Sequence, residues 1–201
     1  FPSLGVSKLS AFIVFEGGEG AGKSTQAKLL AQRLINEGYP TVLTREPGGT
    51  PLGETSRRWL KTRTDLKPTT ELLMFAAARA QLVEEVITPA LSSGSIVICD
   101  RFAASTIAYQ GYGRGLDMDL ISSLNQVATK GVLPNLIVSL DLPEGAGLAR
   151  KIGGGKDTFE SQEADFHNRV REGYLGMASR DPRSWLVVDG TMAKTSLAKL
   201  I

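Results

Sequence analysis

Five short apolar runs, at 12–15, 40–44, 95–99, 135–140 and 185–188, recur along the chain, and longer stretches with helical spacing lie between them. The runs predict strands. The intervening segments predict helices over about 25–37, 51–60, 71–91, 102–109, 117–130, 143–151 and 162–179, with a last one from 194. Boundary residues support this division. Gly38 ends the first helix, and Thr50 with Pro51 suits an N-cap and first helical position. Thr70 suits the cap of the long 71–91 segment, whose last turn Pro89 disturbs. Glycines at 111, 113 and 115 break the helix that precedes them. Phe166, Val170, Tyr174 and Met177 form one apolar stripe. None of the strands alternates polar with apolar positions as a half-solvated sheet does. The expectation is an α/β fold with a five-stranded parallel sheet covered by helices on both faces. Ligands then belong at the carboxyl ends of the strands, where Glu16, Arg45, Asp100 and Asp141 fall.

The first strand runs directly into GGEGAGKS, which fits G-x-x-x-x-G-K-[ST] without mismatch. Glycines let the backbone curl so that successive N–H groups point at phosphate oxygens, and a helix N-terminus closes the nest. Gly17, Gly18, Gly20, Ala21 and Gly22, with Lys23, Ser24 and Thr25, form the candidate set for binding nucleotide phosphates. Lys23 can reach the β- and γ-phosphates, and Ser24 can offer its hydroxyl to Mg²⁺.

Composition narrows the partners. A chain of 201 residues suits one domain, taken as 11–201 after a tail at 1–10 that is not an evident secretory signal. A formal charge of +2 is too small to imply a nucleic-acid partner. The single cysteine, Cys99, rules out an internal disulfide and fits a reducing, cytoplasmic setting. No apolar run approaches a membrane span.

Asp100, straight after the third strand, occupies the position expected of a Mg²⁺- or water-holding carboxylate. Arg101 beside it offers a planar fork to phosphate, and Arg45 arrives at the same edge. A phosphate loop facing two further arginines points to a second phosphorylated ligand and direct phosphoryl transfer between nucleotides. No N-K-x-D guanine motif is present. Phe75 and Arg79 share a helix face at i,i+4 spacing; they suit either base recognition or a core ring with a solvated charge. Tyr109 is either a core aromatic or a wall under a sugar. Gln110 and Ser105 either bond a ligand or cap the neighbouring loop.

Together FEGGEGAGKSTQA, TREPGGT (44–50), ELLMFAAARAQ (71–81), DRF with AYQGYGRG (100–115) and DFHNRVREGY (165–174) resemble the bacterial thymidylate kinases, over about 12–189. The resemblance implies a P-loop nucleoside-monophosphate-kinase-like fold, usually homodimeric, that moves the γ-phosphoryl of ATP to dTMP with Mg²⁺. It implies catalytic roles for Lys23, Glu19, Arg101 and Arg150, with Ser24 and Asp100 at the metal. Glu19 lies near the sugar 3′-hydroxyl. Arg45 and Arg101 hold the dTMP phosphate, and Pro47 follows a cis Glu46–Pro47 bond. Phe75 stacks on thymine, Arg79 bonds its O4, Tyr109 lies against the deoxyribose, and Ser105 and Gln110 complete the substrate set. The phosphate loop has no arginine, so a lid at about 150–160 is expected to supply positive charge from Arg150, Lys151 or Lys156, with Glu160 at its end. Thr158 stands there where the family often has an arginine. A kinase of dUMP or deoxynucleosides, and a catalytically weak nucleotide-binding protein, are the competing readings.

Overall fold

A computed structural model describes residues 10–143, 146, 159 and 162–201. Five parallel strands form its centre: β1 (Ala11–Gly17), β2 (Thr41–Arg45), β3 (Ile96–Asp100), β4 (Leu136–Asp141) and β5 (Trp185–Asp189), in the order β2-β3-β1-β4-β5. Register brings the strand ends level. Arg45 and Phe15 both pair with Asp100, Gly17 pairs with Leu140, and Asp141 pairs with Asp189. The chain leaves β1 toward β2 and later returns to add β4 on the other side. β1 is therefore the strand at which the order reverses, and the crevice above its carboxyl end is the natural ligand site.

Alternate residues of β1 serve opposite faces. Phe12 and Val14 pack with Leu82, Val83, Ile87, Val97 and Phe102, whereas Phe15 packs with Ala27, Ala31, Ile98, Leu140 and Leu197. Both sets are buried, which is why the strands carry no polar alternation. The second face is covered by α1 (Lys23–Asn36) and, in this chain's last helix, α8 (Lys194–Leu200). The first is covered by α3 (Pro68–Leu82), α4 (Thr88–Ser92) and α5 (Ala103–Thr106). α2 (Pro51–Thr62), α6 (Met118–Thr129) and α7 (Ala164–Arg180) complete the described helices. A third cluster, in which Leu60, Ala108, Tyr109, Phe166, Val170 and Tyr174 meet, floors the site.

The predicted cap at Thr50 is formed, and the helix expected from Asp117 is capped by that residue. Thr50 accepts from the Gly53 N–H at 3.0 Å with Pro51 next in line, and Asp117 accepts from Asp119 and Leu120. Three boundaries differ from expectation. α3 begins at Pro68, whose fixed φ and missing N–H suit a first helical position, so Thr70 lies inside the helix and caps nothing. The 71–91 segment is not one regular helix: a π-turn at Val83–Ile87 separates α3 from α4, and the Thr88 N–H reaches back to Val83. Pro89 lacks an N–H, and the widened turn just before it takes up that defect. Gly111 does not break its helix but lies within a second π-segment, Ile107–Gly113, which Gly113 closes. Both are small because Met118 and Phe166 pack where a Cβ would stand; only Gly115, at φ +74, has the left-handed backbone of a break. The predicted helix at 143–151 and the lid lie largely or wholly outside the described residues.

Candidate active site

The phosphate loop follows from close packing of β1 on β4. Gly17 has φ +130, and a Cβ there would collide with the Leu140 carbonyl, so the chain can turn only as glycine. Gly20 and Gly22 also have positive φ, and α1 starts at once with Lys23. The buried Lys23 amine spans the loop, donating to the carbonyls of Gly17 at 3.0 Å and Gly18 at 2.6 Å. Burial, reinforced by the neighbouring Arg101 charge, brings its pKa down to about 8.

Beside Lys23 the Ser24 hydroxyl bonds Asp100 Oδ2, and Asp100 Oδ1 is buried with no hydrogen-bond partner among the described residues. An orphaned carboxylate oxygen next to a hydroxyl fits a divalent cation. No cluster of three His, Cys, Asp or Glu side chains occurs among the described residues, so phosphate oxygens and water would complete the shell, as suits Mg²⁺.

Arg101 leaves β3 in the left-handed region, φ 72, a strained conformation for a side-chain-bearing residue. Its guanidinium donates to Glu19 at 2.6 Å, Tyr109 Oη at 3.1 Å, the Gly17 carbonyl at 3.1 Å and Ser105 Oγ at 3.1 Å. It also lies 5.0 Å from the Tyr109 ring centre. Fully buried Glu16 sits beneath, accepting from the Phe102 and Ser105 N–H groups, Ser105 Oγ and Tyr174 Oη. Burial raises the Glu16 pKa, although the Arg101 charge and these donors oppose it.

Two cavities meet at Arg101. One, of about 90 Å³, has Phe75, Tyr109 and Phe159 as aromatic walls, with Pro47, Thr106 and Gln110. The other, of about 270 Å³, is polar and contains Gly20, Lys23, Ser24 and Asp100. Glu19, Arg57 and Arg101 line both. A third opening, of about 370 Å³, lies between Gly20–Gln26 and the turn after β5, at Gly190–Lys194. Gln26 anchors that turn by donating to the Lys194 carbonyl at 3.0 Å.

Several expected site residues therefore converge: the phosphate loop, Glu19, Pro47, Phe75, Asp100, Arg101, Tyr109 and Gln110. The Glu46–Pro47 bond is cis. Ser105 reaches the cavity but is engaged by Glu16, Arg101 and Tyr174. Arg45 stands at the edge of the site. It forks onto Glu54 at 2.9 and 3.0 Å, half exposed, and lines an adjoining opening together with Ser24, Arg57 and Asp100. Its neighbour Thr44 is the buried member of the pair at the end of β2, which turns Arg45 outward. Arg79, by contrast, does not line the aromatic cavity. It is 1% exposed and turned to Glu46, Asn125, the Phe102 carbonyl and Thr106. Its i,i+4 spacing with Phe75 holds, but a carboxylate 2.6 Å away captures the fork from behind the wall. Burial pushes Glu46 up to about 7 against the Arg79 charge. Asp141, a strand-end acid, is forked by Arg171 at 2.7 and 2.8 Å. Arg150, Lys151, Lys156 and Glu160 lie outside the described residues.

Sequence reasoning missed Arg57, Thr106 and the Gly190–Lys194 turn. Arg57, Leu60 and Lys61 share a helix face, an i,i+3,i+4 signal that was available. Arg57 also donates to the Pro47 carbonyl at 3.2 Å, and burial lowers its pKa. Thr106 stands four residues before Gln110. The turn after β5 carries no local motif.

A reversed-order parallel sheet, a phosphate loop after its central strand, and a polar cavity joined to an aromatic one through a shared arginine define a P-loop phosphotransferase of the nucleoside-monophosphate-kinase type. Within that class the chain belongs to the thymidylate kinase family, whose model matches residues 15–201. It is 49% identical over 195 residues to the thymidylate kinase of Thermomicrobium roseum, covering 96% of this chain and 93% of that protein. To that of Geotalea uraniireducens it is 47% identical over 192 residues, covering 91% and 90%. The crystal structure of thymidylate kinase from Ehrlichia chaffeensis superposes with a TM-score of 0.78 at 38% identity, covering 96% of this chain and 98% of that one.

Two outcomes follow from this geometry. Arg79→Met strands a buried carboxylate and is expected to lower unfolding free energy in urea by about 3–5 kcal/mol, with Arg79→Met/Glu46→Gln recovering much of it. Equal losses in both variants would assign the effect to packing. Lys23 is largely neutral above its lowered pKa, and a bound polyanion favours the ammonium. ATP binding should therefore take up a proton at about pH 9 and none at about pH 6.5, read by calorimetry in buffers of different ionisation heat. Lys23→Met should abolish the uptake.

Proposed function

We propose that this protein transfers the γ-phosphoryl of ATP to dTMP, giving dTDP and ADP. The observation that carries the reading is the sharing of Arg101, Arg57 and Glu19 between the phosphate-loop cavity and the aromatic one. In-line transfer needs the attacking acceptor phosphate and the migrating phosphoryl side by side, with positive charge on their equatorial oxygens. In this reading the acceptor base enters between Phe75, Thr106 and Gln110, and Tyr109 and Glu19 take the sugar. Arg57 and Arg101 neutralise the acceptor phosphate. Lys23 exchanges the loop carbonyls for donor phosphate, and the donor nucleoside extends toward Gly190–Lys194. Mg²⁺, held by Ser24 and Asp100, would offset charge on the donor phosphates. Because the loop lacks an arginine, Arg150 is the proposed further cation, with Lys151 or Lys156 assisting. No helix among the described residues is long and apolar enough to cross a membrane.

A homodimer belongs to the same proposal. Trp59 on α2, Leu73 on α3 and Met118, Leu120 and Val127 on α6 are exposed, and these three helices pack successively against one another. Such an apolar surface supports a partner copy. Leu73→Glu should then halve the mass seen by sedimentation equilibrium; a monomeric unmodified chain would refute the pairing.

The function is tested by coupled ADP release with ATP, Mg²⁺ and a panel of monophosphates. dTMP should be the best acceptor, ahead of dUMP, with thymidine inert. Lys23→Ala should stay folded and lose about 10²–10³ in kcat, the usual effect of removing one preorganised charge from a transition state. Binding of dTMP without dTDP formation, or near-normal turnover in Lys23→Ala, would overturn the reading.

A further inference from the structure

Gln110 lines the aromatic cavity and is almost wholly buried. Its Nε2 donates to Glu71 Oε1 at 2.7 Å. Glu71, buried in the first turn of α3, is itself held by Arg114, which donates to Oε1 at 3.5 Å and to Oε2 at 3.2 Å. Arg114 is fixed in turn: its guanidinium lies 5.1 Å from the Phe166 ring centre and donates to Gln162 at 2.8 Å. An ionised carboxylate can only accept, so the nitrogen end of the Gln110 amide must face Glu71 and the oxygen end must face away. Among the described residues no group donates to that oxygen.

We propose that Glu71 is a positioning residue for base selection, setting which end of the Gln110 amide the acceptor base meets. Arg114 makes the setting one-sided, because a paired carboxylate cannot offer a hydrogen. The cavity then presents an oxygen acceptor. It favours a pyrimidine whose N3 carries a hydrogen, the 2,4-dione type, over one whose N3 is a bare acceptor, the 4-amino type. Both rings have the same size, so volume cannot make this choice. The inference rests on reading the aromatic cavity as the acceptor-base site.

The isosteric substitution Glu71→Gln tests it. Arg114 would claim the new amide oxygen, the new NH₂ would face Gln110, and the Gln110 amide would turn to present its own NH₂ to the cavity. The full-length protein is titrated with dTMP and with dCMP by calorimetry, and kcat/KM is measured for both. The unmodified chain should prefer dTMP. Glu71→Gln should reduce that preference by roughly tenfold or more, as expected when a donor meets a donor in a buried site. In Glu71→Gln/Arg114→Leu the new amide is free to return its oxygen to Gln110, and preference should recover. If Glu71→Gln does not fold, Glu71→Leu is used; with no acceptor to hold it the amide turns freely and the preference falls. An unchanged dTMP-to-dCMP ratio in a folded variant, with only stability or kcat altered, would overturn the positioning role. Absence of a dTMP preference in the unmodified chain would instead overturn the acceptor-site reading.

Discussion

Everything at the site hangs on one carboxylate placed where water cannot reach it. Glu16, at the carboxyl end of the central strand, has no exposed surface and accepts from the backbone of Phe102 and Ser105, from the Ser105 hydroxyl and from Tyr174. These donors come from three places in the sequence: the turn after β3, the start of α5 and the middle of α7. A buried anion must find such partners or be neutralised by a proton, so the three elements are drawn to one point. Arg101 then has one direction left, forward over the phosphate loop, and its left-handed backbone is the strain that this demands.

Glu46 and Arg79 repeat the device one layer out. Replacing a buried ion pair by apolar residues is often neutral for stability, so the pair is better understood through what it positions than through what it stabilises. Glu46 opens the turn carrying Pro47; Arg79 ties that turn to Phe102 and Thr106. Two buried carboxylates thus fix the Pro47 turn and the 102–106 segment, which wall the aromatic cavity from distant parts of the chain.

This layout explains what was legible in the amino-acid sequence. The strands and the phosphate loop were, because burial on both faces and a glycine-lined anion nest leave local signatures of composition and spacing. Phe75 and Tyr109 were legible as aromatics on the right elements. The carboxylate partners of Arg45 and Arg79 were not, because an arginine's direction depends on which carboxylate captures it. Glu54 lies nine residues from Arg45 and Glu46 thirty-three from Arg79, and nothing local announces either pairing. Arg57 had a helical-face signal but no motif to draw attention to it. The π-turns were hidden for a different reason: both occur where periodicity is still helical, and only the ladder of hydrogen bonds tells one pitch from the other.

The π-turn at Val83–Ile87 gives the long helical stretch two phases. Upstream, Phe75 faces the aromatic cavity, with Glu71 and Arg79 on the same helix face just behind its wall. Downstream, Val83 and Ile87 are aimed at the sheet. One inserted residue rotates a helix by about 100° relative to its continuation, which is the offset needed for a single rod to face two directions. Deleting any one residue of that turn would leave every side chain of the site intact and restore a regular pitch, yet would swing the base-reading face away from its cavity. The spacing itself is thus a functional element, and alignments that treat this position as a tolerant gap would misjudge it.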